Sequence, residues 1–257
     1  HIGSMTYSLG FHMGYVRNKV TKFQGKVPSI NGVYKLQEGK PINQLYVMSV
    51  DRIVRDQSDL DYVQSLVDKN PDYFATYQRP ELGDFLYADA NHDGNLDAND
   101  RIEIGNGNSP AFTFGSNIGI SWKGFDFSML LQGVGKHKVY YNNQAFRFVT
   151  VMGQSLNKDI TDHAWTPENP YNANSKNNIA SDALVFNASY LRCKNIQLGY
   201  TLPRHISEKF FVENLKIYTS IDNLFTLTDF PGLDPEIAAG VGYPQLRQYS
   251  VGINVTF

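Results

Sequence analysis

The sequence predicts an all-β chain, an antiparallel transmembrane β-barrel segment that carries long extracellular loops. Three observations carry that expectation. Several stretches alternate strictly between apolar and polar residues. The connections between them alternate between short and long. The polar positions hold Gly, Ser, Thr and Asn, which are too small to fill a core. A strand with lipid on one side and water on the other needs that division. A soluble all-β protein with decorated loops also alternates, and periodicity alone leaves it open.

The elements follow in order. Over 5–15, Tyr7, Leu9, Phe11 and Met13 alternate with Ser8, Gly10, His12 and Gly14, which predicts a strand. The stretch 17–41 reads as a polar connection broken by Gly25, Pro28, Gly32 and Gly39. A second, loosely alternating strand is expected over 42–54. Ser58 or Asp59 would cap a short helix to Lys69, with Leu60, Val63, Leu66 and Val67 on one side. Asn70-Pro71 ends it, and 73–80 is aromatic and irregular.

The stretch 111–122 places Phe112, Phe114, Ile118, Ile120 and Trp122 on one face and Thr113, Gly115, Asn117, Gly119 and Ser121 on the other. Lys123-Gly124 is a tight turn. Phe125, Phe127, Met129 and Leu131 then alternate with Asp126, Ser128 and Gln132, apart from an inward Leu130. A long polar stretch fills 133–182, more than a compact soluble domain usually leaves without elements. Strand resumes over 190–202, with Ile196, Leu198, Tyr200 and Leu202 in phase. A helical turn runs from Pro203 to Phe211, and Leu215, Ile217, Thr219 and Ile221 carry the next strand. After a Pro- and Gly-rich connection, Tyr249, Val251, Ile253, Val255 and Phe257 alternate with Ser250, Gly252, Asn254 and Thr256. Short turns at one end and long loops at the other are the asymmetry of membrane barrels. Tyr15, Trp122, Phe125, Tyr200 and Phe257 stand near strand ends, where interfacial aromatic girdles belong.

Composition narrows the function. Of the 257 residues, 13% are aromatic, with 16 Tyr and 16 Phe, enough to furnish such girdles. No stretch approaches the ~20 apolar residues of a membrane helix. The net charge of −2 provides no basic field for nucleic acid. Cys193 stands alone and forms no internal disulfide. Residues 1–5 lack the charged and apolar regions of a signal peptide. Because strand begins at once, the chain is expected to start inside a longer protein.

One stretch carries metal chemistry. Residues 89–100 match a twelve-residue calcium loop, with ligands at positions 1, 3, 5, 7, 9 and 12 and Gly at 6. Asp89, Asn91 and Asp93 supply side-chain oxygens, and Gly94 permits the reversal. Asn95 offers its backbone carbonyl, Leu96 packs inward, and Asp97 binds directly or through water. Asp100 stands at the position of the usual Glu, with a shorter arm. Oxygen donors and no nearby Cys point to Ca²⁺, as a structural staple for 84–104. A turn rich in Asp, Asn and Gly with no metal is the competing reading. The flank at 83–87 reads as extended, so this is no helix–loop–helix unit.

No catalytic set emerges, so no enzyme is expected. The histidines are scattered without ligand spacing. No Gly-x-Ser-x-Gly is present, and Gly133-Val134-Gly135 lacks the third glycine of a phosphate loop. Tyr140, Tyr141, Tyr171 and Trp165 could stack on sugar rings or simply pack between loops.

Several motifs together resemble the SusC/RagA-type TonB-dependent transporters of the Bacteroidetes outer membrane. They are Gly83-Asp84-Phe85 leading into the 89–100 loop, Asp100-Arg101-Ile102, and Ile104-Gly105-Asn106. Phe114-Gly115 through Trp122-Lys123-Gly124-Phe125-Asp126 to Gln132-Gly133 follow. Tyr190-Leu191-Arg192 and Gln197-Leu198-Gly199-Tyr200-Thr201-Leu202-Pro203 come next. The strongest stretch is Asp222-Asn223-Leu224-Phe225-Thr226, then Pro231-Gly232-Leu233-Asp234-Pro235-Glu236, then Tyr243-Pro244-Gln245. The resemblance covers most of 83–257. It implies that 1–257 is the C-terminal portion of a 22-stranded barrel without its plug. It also implies a SusD-like surface lipoprotein as partner, energy from TonB, outer-membrane lipid around the wall, and uptake of oligosaccharides or peptides. Phe257 would then be the terminal aromatic that signals outer-membrane insertion. The alternative is a secreted, soluble, calcium-stapled β-protein that binds glycans. Substrate identity is not encoded in these residues.

Overall fold

The computed structural model describes residues 4–24, 28–105, 109–141, 179–237 and 242–257. Its centre is a sheet whose main path runs through six antiparallel strands. They are β1 (Met5–Tyr15), β8 (Phe112–Trp122), β9 (Phe125–Gly135), β12 (Tyr190–Thr201), β13 (Asn214–Asp222) and β15 (Gln248–Thr256), in that spatial order. Each strand pairs with the one preceding it along this path, so the sheet is an up-and-down wall.

The register carries the sequence alternation straight across. One row reads Leu9, Ile118, Met129, Ile196, Ile221, Tyr249, and another Tyr7, Ile120, Phe127, Leu198, Thr219, Val251. Between them lies Ser8, Gly119, Ser128, Gln197, Ser220, Ser250, followed by Thr6, Ser121, Asp126, Gly199, Tyr218, Gly252. Because side chains alternate faces, the apolar rows share one face and the small polar rows the other. The apolar face is not packed against a second sheet: Leu9 is 72% exposed and Val251 80%. A soluble sandwich buries that face, so the exposure weighs against the soluble alternative.

The connections reproduce the expected asymmetry. Lys123 and Gly124, both in the left-handed region (φ 47° and 86°), join β8 to β9. A Cβ on Gly124 would lie 2.7 Å from the Thr201 carbonyl oxygen, so this turn fits against the end of β12 only as glycine. Between β12 and β13 stands the short helix at Arg204–Ser207 and one 3₁₀ turn. The long connections leave from the opposite end.

The first long connection, between β1 and β8, has its own core. It holds a hairpin, β2 (Ser29–Asn31) and β3 (Tyr34–Leu36), where a plain polar connection was expected. The strand expected over 42–54 is split. β4 (Gln44–Met48) pairs with β3 and β7 (Arg101–Ile104), whereas β5 (Val50–Ile53) pairs with β6 (Phe85–Tyr87) in another sheet. Neither belongs to the wall. Helix α1 (Gln57–Lys69) is capped by Asp56, not by Ser58 or Asp59; Asp56 Oδ1 accepts from the Ser58 and Asp59 amides at 2.9 and 3.1 Å. Its apolar side sets Val63 against Val54 and Leu86, and Met48, Tyr73, Tyr87 and Leu96 form the adjoining cluster.

Two further ties join the long connections into one layer. The Met48 amide donates to Ala180 O at 2.9 Å, and Asp182 accepts from Ser49 Oγ and the Val50 amide at 2.9 and 3.0 Å. A ribbon of β10 (Lys138–Tyr140) and β11 (Val185–Asn187) puts Val139, Tyr141 and Ala188 against Phe230, from the last connection.

Candidate functional site

The loop layer contains the metal-type loop and a charged cluster that no single motif announced. In the metal-type loop, the local backbone follows from its Asp, Asn and Gly residues, whose side chains hydrogen-bond amides a few positions on. Asp89 accepts from the Asp93 and Gly94 amides at 3.2 and 2.9 Å. Asn91 accepts from the Asp93 amide at 2.9 Å, and Asp93 from the Asn95 amide at 2.8 Å. Gly94 makes the reversal in the left-handed region, φ 84°, and Leu96 is buried, as the motif requires. Asp100 is fully buried and accepts from the Asn91 and Asp97 amides at 3.3 and 2.8 Å. Burial pushes its carboxyl up, and those amides oppose the shift. The loop is seated on the end of α1 by Asn70 Nδ2, which donates to Gly94 O at 2.6 Å. The flank Phe85–Tyr87 is a strand, as expected, not a helix.

The donor set is all oxygen, which suits a hard cation. Among the described residues, no three His, Cys, Asp or Glu side chains converge on one point. An ion here would therefore draw on the Asn91 amide oxygen and the Asn95 carbonyl together with the carboxylates. The nearby Tyr73 hydroxyl is pushed up to about 12, first by burial and then by the Asp89 charge.

The charged cluster links β12 to the connection between β14 (Thr226–Thr228) and β15. Arg192 shares its row with Gln132 and Gly115, on the small-residue face of the wall. Its Nη2 donates to Asp234 Oδ1 at 2.7 Å, and its Nε to Thr226 Oγ1 at 2.8 Å. Both members of the Arg192–Asp234 pair are buried. Glu236 lies 3.1 Å from Arg192 Nη1, an ion contact without hydrogen-bond alignment. It also lies 2.8 Å from Lys194 Nζ and accepts from the Tyr190 hydroxyl at 2.7 Å. Asp234 accepts in turn from the Glu236 and Gln245 amides at 2.9 and 3.0 Å. For both carboxylates burial acts upward. For Asp234 the bonds from Arg192 and the two amides outweigh it, and for Glu236 those from Lys194 and Tyr190, so both are held below the usual range.

This cluster rivets the last connection to the inner face of the wall. Its sequence signal is Tyr190-x-Arg192-x-Lys194, one cationic face at the start of a strand, but the partners lie 42 positions away. Of the tyrosines considered for sugar stacking, Tyr141 is buried with its ring centroid 4.9 Å from that of Phe230, so it packs loops together. Tyr140 is half-buried at the end of β10. Tyr171 and Trp165 lie outside the described residues.

Comparison with known proteins extends this picture. No family model matches the chain. A TonB-dependent receptor of Formosa agariphila is 31% identical over 198 residues, covering 68% of this chain and 19% of the relative. The TonB-dependent receptor SusC of Bacteroides thetaiotaomicron is 23% identical over 263 residues, covering 98% of this chain and 24% of the relative. The chain therefore spans about a fifth to a quarter of the length of these relatives. Among solved structures, that of the RagAB peptide transporter superposes with a TM-score of 0.78 at 23% identity, over 100% of this chain and 27% of that one. The superposition carries the barrel-wall fold. The relatives are receptors and transporters, and the chain is not an enzyme. With the two-faced wall and one-sided loops already in place, these matches assign the chain to the SusC/RagA-type TonB-dependent receptors, outer-membrane proteins of whose barrel it forms a part.

Proposed function

We propose that the chain supplies wall and extracellular loops to an importer of oligosaccharides or peptides that works with a SusD-like surface lipoprotein and draws energy through TonB. The observation that carries this reading is the wall itself. Its apolar rows are exposed or half-buried, with none of their side chains fully buried, while its other face is lined with Ser, Gly, Gln and Asn. The eleven residues of β8 span about 33 Å. At a tilt of about 40° that is a height of about 25 Å, the apolar band of an outer-membrane barrel. The sheet stays open at β1 and β15 among the described residues, as expected where further strands continue it. The small inward residues suit a wide lumen, because a narrow barrel must fill its interior with side chains. The solved neighbour is a peptide transporter, which supports the peptide class here.

The test uses the complete polypeptide. It should fractionate with the outer membrane, shift mobility on heating, and co-purify a surface lipoprotein. Its deletion should abolish growth on one oligosaccharide or peptide class. A complete protein that is monodisperse in plain buffer without detergent would overturn the reading in favour of a secreted glycan-binding protein.

Within this reading, the loop at 89–100 holds Ca²⁺ as a staple. Asp89, Asn91, Asp93, the Asn95 carbonyl, Asp97 and Asp100 are the donors it would draw on, with the carboxylates closing in on the ion, because no three of them converge on one point among the described residues. Support comes from the all-oxygen set, the left-handed Gly94 and the buried Leu96. The ion orders 84–104 and so the layer that a lipoprotein would meet. Asp93→Ala should weaken lipoprotein docking or uptake while insertion stays intact. No Ca²⁺ heat at millimolar concentration in calorimetry of the complete protein would remove the staple.

A further inference from the structure

The outward face of the wall ends in aromatic residues at both rims, and a lysine lies on each. At the short-turn rim, Lys123 Nζ sits 5.0 Å from the Trp122 ring centroid. At the long-loop rim, Lys136 Nζ sits 5.5 Å from that of Tyr15. Tyr15 is in register with Phe112, whose ring stands 5.5 Å from Phe114, so this rim presents a platform of adjacent aromatic rings.

The second lysine reaches that platform by a backbone detour. Strict alternation after β9 would send residue 136 to the inner face. Its φ of 51° turns it instead, and the ammonium comes to rest over an outward ring. The position is fixed by the chain. The Ala111 amide donates to Lys136 O at 3.5 Å and the Val16 amide to Ala111 O at 2.8 Å, so 16, 111 and 136 form one row across the sheet end. Arg17 follows Val16 directly. Two strand spacings separate β1 from β9, so its backbone lies about 10 Å from that of Lys136. Arg17 and Lys136 are both exposed, and neither forms an ion pair with the described residues.

The geometry points to a lipid-phosphate site: Tyr15, Arg17 and Lys136 hold the phosphorylated headgroup of an outer-leaflet glycolipid against the barrel rim. The inference rests on the barrel reading above. At headgroup depth, exposed cations beside an aromatic belt attract anionic lipid. The two groups divide the work, because guanidinium meets phosphate oxygens in a bidentate fork and ammonium meets them as a point charge. The aromatic rings accept the glycolipid's acyl and sugar edge below the phosphate.

The test is native mass spectrometry of the complete transporter, titrated with diphosphoryl lipid A, fully dephosphorylated lipid A or inorganic phosphate. Arg17→Gln and Lys136→Gln should each weaken diphosphoryl lipid A binding about fivefold, and the pair about 25-fold. Dephosphorylated lipid A should bind weakly and equally to all. An unchanged affinity in the double variant, equal binding of the dephosphorylated lipid, or full displacement by inorganic phosphate overturns the site. The heat-modified mobility of the same samples reports the barrel. If it is present in every variant, a failure belongs to the lipid site; if it is absent from the wild type, the barrel reading falls and the site with it.

Discussion

Replacing Asp234 with alanine removes the centre of the rivet between β12 and the last long connection. The substitution deletes the 2.7 Å bond from Arg192 and the acceptor for the Glu236 and Gln245 amides. It leaves a guanidinium that is itself 3% exposed. Breaking a buried pair by removing one partner costs about 3–5 kcal/mol, because the remaining charge stays desolvated. Glu236, 3.1 Å from Arg192 Nη1, can compensate in part. The low end, about 3 kcal/mol, is therefore the expectation, and it falls on the loop rather than on the wall strands. In hydrogen exchange of the complete transporter in detergent, the amides of Glu236 and Gln245 should lose protection by about a hundredfold. Amides of β13 and β15 should keep theirs. Protection of Glu236 and Gln245 that changes less than about threefold would refute the rivet, since both amides donate to the deleted carboxylate.

Two further outcomes follow from the same structure. Leu198→Arg places a charge in the outward row beside Phe127 and Thr219 and should cost about 2–4 kcal/mol in lipid refolding. Gln197→Arg, one residue away on the inner face, should cost far less, and equal costs would invert the assignment of faces. The second concerns acid. Asp234 and Glu236 are held below their ordinary values of 3.8 and 4.5. Carboxylates with lowered folded pKa stabilise above their unfolded values and lose that contribution as pH falls through the folded ones. Protection of the last connection should therefore be level above about pH 4.5 and decline as the pH falls below 3.8; a decline that begins near neutral pH would contradict the assignment.

The wall strands were legible because lipid on one side and water on the other impose a period of two on every residue. The expected 5–15 strand coincides with Met5–Tyr15, and the Lys123-Gly124 turn is where the sequence puts it. The loop layer obeys no such rule. Leu45, Val47 and Met48 are all fully buried, so β4 shows no alternation, and a stretch joined to β5 in sequence parts from it in space. The hairpin β2–β3 pairs strands of three residues each, too short for a periodic signal. The metal-type loop is visible because its contacts stay within twelve positions. Arg192, Asp234 and Glu236 each appear in a recognisable motif, yet their pairing depends on how the chain returns to β12, which local pattern does not encode.

The ties between the long connections also bear on how the chain acquires its shape. Asp182 closes onto Ser49 and Val50 across 133 and 132 positions. Contacts of such separation carry a large loop-closure cost until intervening strands have brought their ends together. The layer above the wall is therefore expected to close after β8 and β9, which lie between these positions, are aligned. A misregistered hairpin would shift every inward residue to the lipid face and would also leave Asp182 without its donors. Surface display of a finished loop layer is thus a report that the wall beneath it has been zipped in register.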